Sequence, residues 1–447
     1  MSEITGDNHA GEDAQAKEQI RDSTVCIVGL GYVGLPLAVE FDHEGFDVIG
    51  YDVSDEKIEQ FRNGTAPTQE LNDEKIEQSK IQFTSDAAPI ERADYVLVGV
   101  PTPVDDLENP NLAYVESAGE AIGRHLQPDT TVILESTVYP GATREILAPA
   151  VEKASGLTAG EDFFVGYSPE RIVPGDDEHG LRDVVKIVSA ENDEVLEDIA
   201  ALYETIVDAG VHKAPEIEVA EAAKCIENIQ RDLNIALMNE LAIACHNLGL
   251  DTHAVLEAAG TKWNFHDYRP GLVGGHCIPV DPFFMIYESE RNGFKPKLIE
   301  TAREVNEFMP DHVAELTLRG LNDCGKVLRE STVLVLGLSY KPGVDDIRTS
   351  VVGDTIDKLE DYGVDVVGVD PHADHKEIRE EIGIRVTERP VFEGADAVLL
   401  ATPHEELREI DYAEAADRMA EDPLLVDVDG VLDRDRMERA PLTYERI

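Results

Sequence analysis

The stretch that decides the fold of the first part of the chain is residues 23–54, STVCIVGLGYVGLPLAVEFDHEGFDVIGYDVS. An apolar segment at 25–28 leads into the glycine pattern GLGYVG at 29–34, a helical pattern follows, and a second apolar segment ends at Asp52. A lone GxGxxG pattern is weak, but here a strand, a helix and a terminal acid surround it in the right order. The stretch therefore predicts a dinucleotide-binding βαβ unit, with a ligand-free glycine turn as the alternative.

The residues of this turn indicate how a dinucleotide would bind. Gly29 and Gly31 allow a tight turn and let a pyrophosphate approach the backbone, and Gly34 lets the helix and the strand pack closely. The N-terminus of the helix offers N–H groups to the phosphates. Asp52 would accept hydrogen bonds from the ribose hydroxyls and repel a 2′-phosphate, so the sequence predicts NAD rather than NADP.

Two further apolar segments, at 95–100 and 132–134, are each followed by a polar turn, PTP and ESTVYPG. Ligands of open α/β sheets collect at the carboxyl ends of the strands. Thr102 and Thr137 are therefore candidate ligand contacts, although threonine is common at strand ends. The cofactor contacts predicted from this part of the chain are Gly29, Gly31, Tyr32, Val33, Gly34, Asp52, Thr102 and Thr137.

A long helix is predicted between Glu216 and Leu248, where the sequence contains neither glycine nor proline. At roughly 30 residues it would be about 45 Å long, enough to span domains or to form a dimer interface. One face carries four polar residues: Glu221, Lys224, Asn228 and Arg231. This stripe is either a solvated face or a functional one, in which the lysine and the asparagine could serve an oxyanion.

A second strand–turn–helix–strand pattern begins near Ser331 and ends at Asp370, without the GxGxxG glycines. In place of them, polar side chains stand where phosphates would bind: Lys341, Asp345, Asp346 and Arg348. The predicted fold class is α/β, with two Rossmann-like parallel-sheet domains joined by a long central helix and a helical middle domain. The predicted divisions are an acidic flexible tail at 1–22, an NAD-binding domain at 23–214, a central helical domain at 215–325 and a nucleotide-binding domain at 326–447.

One cysteine, Cys277, lies in the glycine-rich stretch RPGLVGGHCIPVDPFF at 269–284. Two glycines before it give close backbone access, and two prolines after it stiffen the loop. It is either an inert loop thiol or a nucleophile. With NAD, a nucleophilic thiolate suggests oxidation at the aldehyde level: it adds to an aldehyde, the hemithioacetal loses a hydride, and the thioester is hydrolysed.

Composition limits the alternatives. The chain has 447 residues, and 92 acidic residues against 38 basic ones give a net charge of −54, which disfavours nucleic acid and anionic membranes as partners. The acid is spread along the chain, and we interpret it as adaptation to high salt, with an ordinary acidic cytosolic protein as the alternative. The five cysteines show no pairing pattern and the histidines are scattered, so we expect no disulfide framework and no metal site. No apolar run suits a membrane span and the start shows no signal peptide, which predicts a cytoplasmic protein.

Seven motifs, in order along the chain, resemble those of the nucleotide-sugar 6-dehydrogenases of the UDP-glucose/GDP-mannose dehydrogenase family. They are IVGLGYVGLPLAVEF, VPTPVD, ESTVYPGAT, GYSPERIVPGD, VAEAAKCIENIQRDLNIALMNE, GGHCIPVDP and GLSYKPGVDDIRTS. The resemblance implies a four-electron oxidation of a sugar C6 alcohol to a carboxylate with two NAD, for surface polysaccharide or glycan biosynthesis. It also implies a homodimer formed through the long helix.

By this resemblance, Cys277 would be the nucleophile, and Lys224, Asn228 and Asp281 would act in proton transfer and oxyanion stabilisation. Glu170 of SPERI would promote thioester hydrolysis.

The remaining assignments implied by the resemblance concern ligands. Thr137 would hold a water molecule, Lys341 would reach the substrate diphosphate, and Arg348 would belong to the NAD site. The implied substrate contacts are Glu170, Arg171, Lys224, Asn228, Arg269, Gly274 and Lys341.

The loop GGHCIPVDP departs from the GGSCFPKD type of the UDP-glucose enzymes and resembles the N-acetylhexosamine branch, which predicts UDP-GlcNAc or UDP-GalNAc as substrate. UDP-N-acetylmannosamine and UDP-glucose are the alternatives. The roles of His276 and Arg269 stay open. Two other classes, a two-electron NAD dehydrogenase and a non-catalytic nucleotide-sugar binder, would not need Cys277.

Overall fold

The computed structural model describes residues 20–65, 73–105, 107–172 and 180–447. The predicted flexible tail, 1–22, lies outside these ranges except for its last three residues. The described residues form two compact units, the first running to Glu227 and including Phe283–Lys295, the second comprising Asn228–Pro282 and Pro296–Ile447. The chain thus passes from one unit to the other inside the long helix, and the four-segment division stays a prediction.

In the first unit, eight strands of the described residues form one sheet in the order β3-β2-β1-β4-β5-β6-β7-β8. The strands are β1 (Thr24–Val28), β2 (Asp47–Tyr51), β3 (Gln82–Thr84), β4 (Tyr95–Val98), β5 (Thr131–Leu134), β6 (Phe164–Tyr167), β7 (Lys186–Ala190) and β8 (Val211–Lys213). The helices are α1 (Gly34–His43), α2 (Asp55–Arg62), α3 (Asp73–Gln78), α4 (Ala113–Gly123), α5 (Ala148–Ser155) and α6 (Asp193–Tyr203), and α7 (Ile217–Leu248) continues into the second unit. A short 3₁₀ helix, Ala88–Arg92, and a π-helical turn, Thr143–Leu147, complete these elements.

Strand β1 lies between β2 and β4, so the strand order reverses at the end of β1, where open sheets bind nucleotides. The central strands are apolar along their length because helices cover both faces of a parallel sheet. One difference from an all-parallel sheet is the antiparallel pairing of β6 with β7.

In the second unit, six strands of the described residues form a wholly parallel sheet in the order β11-β10-β9-β12-β13-β14. The strands are β9 (Thr332–Leu336), β10 (Asp365–Val369), β11 (Arg385–Val386), β12 (Ala397–Leu400), β13 (Leu424–Asp427) and β14 (Thr443–Arg446). The helices are α8 (Thr252–Gly260), α9 (Asp281–Arg291, which enters the first unit), α10 (Lys297–Asp323), α11 (Val352–Asp361), α12 (His375–Glu381), α13 (Glu405–Arg408), α14 (Tyr412–Ala416) and α15 (Arg434–Met437), besides a 3₁₀ turn, Leu328–Glu330.

The predicted α/β class with two Rossmann-like sheets is confirmed. The predicted long helix is confirmed as well, because α7 has 32 residues and covers 217–248. Local boundaries differ little; β4 ends at Val98, two residues before the predicted end. None of the described helices combines the length and the apolarity that a membrane span requires.

Candidate active site

The first glycine turn is shaped both by packing and by open space. Gly29 has a φ of +90°, and a Cβ there would lie 2.5 Å from the Gly99 carbonyl oxygen. A Cβ on Gly34 would lie 1.9 Å from the Gly29 carbonyl oxygen. A Cβ on Gly31, by contrast, would meet no heavy atom within 4 Å. The protein's own packing therefore requires the first and third glycines, whereas the middle one faces space that a phosphate can use.

Asp52 joins the end of β2 to this turn. The residue is 7% exposed, and its two carboxylate oxygens accept the backbone N–H groups of Leu30 at 3.0 Å and Ser54 at 2.9 Å. Lys57 lies 3.5 Å from one of these oxygens. Each carboxylate oxygen has two lone pairs, so acceptor capacity remains for ribose hydroxyls. Helix α1 begins here without a side-chain cap at Val33. The Leu35 N–H donates to the Gly31 carbonyl at 3.1 Å, and the N-terminal end of the helix lies at the glycine turn, where a phosphate can bind.

Ser136 ties together the ends of β4 and β5. Its hydroxyl accepts the Val100 N–H at 2.9 Å and donates to the Val100 carbonyl at 2.6 Å. This contact was missed at the sequence level, although the serine is adjacent to the predicted Thr137. Thr137 follows Ser136 in the chain, Thr102 lies two residues after Val100, and both threonines are partly buried.

The polar stripe predicted on α7 does not act as one surface. Glu221 is fully buried and accepts the N–H groups of Gly141 and Thr143, at 2.5 and 2.9 Å, and the Thr143 hydroxyl at 2.6 Å. Burial raises its pKa although these donors oppose the shift. Cys225 adds a bond from its thiol to the Val138 carbonyl, at 3.4 Å. The start of α7 is thereby fixed to the turn that carries Thr137.

The next turns of α7 carry the remaining residues of the stripe. Lys224 is 8% exposed, Asn228 is partly buried and Arg231 is exposed. The Asn228 amide donates to the Asp281 carboxylate at 2.5 Å, and Asp281 is 2% exposed at the first position of α9. The structure thus brings together Asn228 and Asp281, two residues far apart in sequence.

Cys277 lies in a tight turn directly before α9, and its side chain is exposed. The N–H groups of Val280 and Asp281 donate to its carbonyl at 3.1 and 2.9 Å. Of the other described cysteines, Cys26, Cys225 and Cys245 are buried and Cys324 is partly buried. Burial raises the pKa of the Cys26 thiol to about 12, which suits an inert core residue.

Two glycines let the Cys277 loop lie against the loop at 339–351. A Cβ on Gly274 would lie 2.7 Å from the Thr349 carbonyl oxygen, and one on Gly275 would lie 2.9 Å from the Tyr340 ring. Gly275 also has a φ of +97°, and its N–H donates to the Thr349 carbonyl at 3.1 Å. The predicted contact residue Gly274 is therefore also required by packing.

Asp346 connects the same two loops through side chains. It receives both arms of the Arg348 guanidinium, at 3.0 and 2.6 Å, and lies 2.9 Å from the His276 ring. Although burial opposes the shift, these hydrogen bonds from His276 and Arg348 hold the pKa of Asp346 well below its usual range. His276 therefore links the thiol loop to the residue that also orients Arg348.

The other predicted substrate contacts have partners of their own. Arg269 is exposed and pairs with Asp267 at 2.9 Å. Arg171 pairs with Glu227 at 2.6 Å and donates to the Val185 carbonyl at 2.6 Å. The backbone carbonyl of Lys341 accepts the Ser339 hydroxyl at 3.2 Å.

Glu170 is held by its own backbone and by a lysine. One carboxylate oxygen accepts the N–H groups of Arg171 and Ile172, at 2.6 and 2.7 Å, and the other lies 3.6 Å from the Lys186 ammonium. Lys186 and its second partner, Glu135, were missed at the sequence level. The sequence feature that could have identified them is a charged residue at one end of each of two otherwise apolar strands.

Comparison with known families gives three matches to one family. The NAD binding domain of the UDP-glucose/GDP-mannose dehydrogenase family matches residues 23–207, its central domain 218–308 and its UDP binding domain 334–434. The chain belongs to this family.

Individual relatives of the UDP-glucose/GDP-mannose dehydrogenase family agree with this membership. The chain is 42% identical to protein CapL of Staphylococcus aureus, over 92% of this chain and 97% of the relative. It is 41% identical to UDP-N-acetyl-D-glucosamine 6-dehydrogenase of Pseudomonas aeruginosa, over 94% and 99%. Among solved structures, the UDP-D-ManNAc dehydrogenase of Pyrococcus horikoshii superposes with a TM-score of 0.84 at 29% identity, covering 95% of this chain and 99% of that one.

The chain is accordingly an NAD-dependent nucleotide-sugar dehydrogenase, with NAD as its cofactor and a UDP binding domain in its second unit. The open space at Gly31, the start of α1 and the carboxylate of Asp52 fit a dinucleotide. No group of three or more His, Cys, Asp or Glu residues that could hold a metal ion occurs within the described ranges.

Proposed function

We propose that the chain oxidises a UDP-N-acetylhexosamine, UDP-GlcNAc or UDP-GalNAc, at C6 to the uronic acid, for surface polysaccharide or glycan biosynthesis. The observation that carries this proposal is the exposed Cys277 at the end of a glycine loop, directly before α9. The first residue of α9, Asp281, accepts a hydrogen bond from Asn228. A two-electron dehydrogenase would not need such a thiol.

The proposed chemistry has two oxidations. When bound, NAD accepts one hydride in each of them. In the first oxidation, the C6 alcohol loses its hydroxyl proton and a hydride to give an aldehyde. The Cys277 thiolate then forms a C–S bond with the aldehyde carbon, and loss of a second hydride from the hemithioacetal gives a thioester. Lys224 and Asn228 stabilise the oxyanion of this adduct, and Asp281 takes part in proton transfer.

Hydrolysis completes the sequence. A water molecule, held by Thr137 and directed by Glu170, forms a C–O bond with the thioester carbon and gives its proton to Glu170. The C–S bond breaks and the Cys277 thiolate leaves. The products are the carboxylic acid, two reduced cofactors and protons.

The ligand contacts belong to the same proposal. Lys341 would bind the substrate diphosphate, and Arg171, Arg269 and Gly274 would also contact the substrate. Arg348 would contact NAD. The pairing of Arg348 with Asp346 supports an oriented guanidinium.

The choice of sugar is supported by the relative at 41% identity, named for UDP-N-acetyl-D-glucosamine. The second candidate, UDP-N-acetylmannosamine, is supported by a solved relative named for that sugar, at 29% identity. UDP-glucose is the third. The deciding measurement is the NADH yield per mole of UDP-GlcNAc, UDP-GalNAc, UDP-ManNAc and UDP-glucose. Two NADH from an N-acetylated gluco- or galacto-sugar supports the proposal, and one NADH from every sugar contradicts it.

Replacing the nucleophile tests the covalent route. Cys277→Ser should reduce turnover by roughly 10³-fold or more, because an alkoxide forms and leaves less readily than a thiolate. Cys324→Ser, at a partly buried thiol outside the site, should retain turnover. Equal steady-state rates in both variants would refute a covalent intermediate on Cys277.

We further propose a cytoplasmic homodimer formed through α7 and adapted to high salt. The net charge of −54 supports the salt adaptation. At roughly 0.1 M salt, where the Debye length is about 10 Å, self-repulsion should lower the melting temperature and the activity relative to molar salt. Full activity at low salt would contradict the adaptation, and sedimentation analysis tests the dimer.

A further inference from the structure

A buried cluster of charged groups lies behind Glu170 in the first unit. Lys186, at the start of β7, and Glu135, directly after β5, are 2% and 1% exposed. The Lys186 ammonium lies 2.7 Å from Glu135, donates to the Pro169 carbonyl at 3.0 Å and lies 3.6 Å from Glu170. The Tyr203 hydroxyl of α6 donates to the other oxygen of Glu135.

The cluster holds more negative charge than positive charge. One ammonium faces two carboxylates, and a buried charge without compensation is costly. Burial raises the pKa of Glu135 to about 6, although Lys186 opposes the shift. Burial also disfavours the Lys186 ammonium, but Glu135 and Glu170 more than offset this and raise its pKa. Lys186 therefore stays charged while the two carboxylates compete for it.

The second oxygen of Glu170 depends on this ammonium. It is buried, and among the described residues it accepts no hydrogen bond, but the Lys186 ammonium lies 3.6 Å from it. The neighbouring Arg171 directs its guanidinium to Glu227 of α7 and to the Val185 carbonyl instead. Two further polar groups beside the cluster are the Tyr203 hydroxyl and the Ser168 hydroxyl, which donates to the Ile187 carbonyl at 2.9 Å.

We propose that Lys186 is a positioning residue for Glu170: its ammonium, 3.6 Å from the second carboxylate oxygen, fixes the carboxylate that takes a proton from the hydrolytic water. Glu135 limits this effect by sharing the same ammonium. The inference rests on the proposed function, in which Glu170 accepts that proton as the water oxygen bonds to the thioester carbon and the Cys277 thiolate departs.

Two substitutions should move the acid midpoint of thioester hydrolysis in opposite directions. Lys186→Met leaves Glu170 facing Glu135 without a cation, so the midpoint should rise by about one pH unit or more and acylated Cys277 should accumulate. Glu135→Gln removes the competing anion and leaves the ammonium to Glu170, so the midpoint should fall. A merely structural role would slow both variants without opposite shifts.

The experiment uses the full-length protein with NAD and UDP-GlcNAc, or whichever sugar of the panel gives two NADH. Rapid quenching and intact-mass spectrometry follow the acyl group on Cys277 from about pH 3.5 to pH 9, a range wide enough to record a midpoint that falls as well as one that rises. The matched control is Lys213→Met on β8, the strand next to β7, because Lys213 is an exposed lysine that pairs with Glu197. Its midpoint should equal that of the wild type.

Opposite shifts in Lys186→Met and Glu135→Gln support the inference, and unmoved or parallel midpoints overturn it. If Lys186→Met does not fold, the double variant Lys186→Met/Glu135→Gln removes the unpaired buried charge, and its midpoint should still exceed that of Glu135→Gln. If neither the wild type nor Glu170→Gln ever carries an acyl group on Cys277, the proposed function itself fails. An acyl group with unmoved midpoints overturns only the role of Lys186.

Discussion

In each sheet, an aspartate directly follows the second strand of the βαβ unit: Asp52 after β2 and Asp370 after β10. The two carboxylates accept different numbers of hydrogen bonds from the protein. Asp52 accepts two backbone N–H groups, from Leu30 and Ser54. Asp370 accepts four, from residues 338, 339, 372 and 373, and also lies 3.2 Å from the buried His404 ring. The acceptor sites of Asp370 are therefore occupied by the protein, whereas Asp52 retains some for a ligand.

The turns that these aspartates support also differ, in how soon a helix follows the glycine. Gly337 corresponds to Gly29 and has a φ of +80°, and a Cβ there would lie 2.0 Å from the Thr402 carbonyl oxygen. Helix α1 begins at the third glycine of the first turn, whereas α11 begins only after the loop at 339–351. The first turn thus leads directly into its helix, whereas the second is followed by a loop that contains Lys341 and Arg348.

His404 explains how the longer loop is held. Its Nδ1 accepts the Gly343 N–H at 3.1 Å, so the ring proton is on Nε2, which faces Asp370 and, at 2.9 Å, the Ser339 hydroxyl. One aspartate and one buried histidine therefore fix both ends of the segment that carries Lys341. The comparison indicates that a strand-end acid can accept a hydrogen bond from a ligand only where its acceptor sites are left open.

The largest effect is expected from adding a single methyl group, by a glycine-to-alanine substitution, in each of the two turns. Gly337→Ala should cost more than about 3 kcal/mol and prevent folding of the second unit, because the Cβ meets backbone and the φ is positive. Gly31→Ala should leave the melting temperature nearly unchanged but weaken NAD binding roughly tenfold, or about 1.4 kcal/mol. Calorimetry and NAD titration check the pair, and equal melting temperatures would contradict the packing argument.

The next largest effect is expected from replacing the two strand-end aspartates, which should differ in their contributions to stability and to cofactor binding. Asp370→Asn should cost at least about 2 kcal/mol, because an amide nitrogen would face buried N–H groups. Asp52→Asn should cost less and instead raise the KM for NAD while improving the relative use of NADP. Urea unfolding and cofactor kinetics measure the two effects; a larger KM change in Asp370→Asn would reverse the assignment.

The stability of the second turn should depend on pH through Asp370. Although burial opposes the shift, hydrogen bonds from His404 and the backbone hold the pKa of Asp370 well below its ordinary range. A lowered folded-state pKa stabilises the fold above the unfolded value of about 3.9, and this contribution is lost as the pH falls below it. Unfolding followed from pH 5 to pH 2 should show a weaker acid dependence in Asp370→Asn than in the wild type, and identical slopes would contradict it.

The smallest effect is expected at the rim of the first turn. Lys57 lies 3.5 Å from Asp52 and is 44% exposed, so Lys57→Met should change stability by less than about 1 kcal/mol. Lys376→Met, at a more exposed pair with Glu380, serves as the control. A loss of several kcal/mol in Lys57→Met alone would mean that the lysine, and not the backbone, holds Asp52 in place.

Much of the fold was predictable because its signals are local. The glycine turn at 29–34 and the uninterrupted helical stretch of α7 follow from residue spacing, and both were confirmed. Within the candidate site, the sequence indicated Cys277 through its loop context. It did not indicate that Glu221 would be buried against the turn carrying Thr143, because that depends on which side of α7 meets the first sheet.

The sequence by itself therefore determined the α/β class, the two nucleotide-type halves, the NAD-type turn and the unusual cysteine, since apolar periodicity and glycine spacing encode them directly. Only the tertiary structure decided which polar side chains meet: Lys186 with Glu135, 51 positions apart, Asn228 with Asp281, and His276 with Asp346. Strand order and loop packing set these distances, and the resulting burial, rather than residue type, decides whether an acid binds a ligand, a lysine or the backbone.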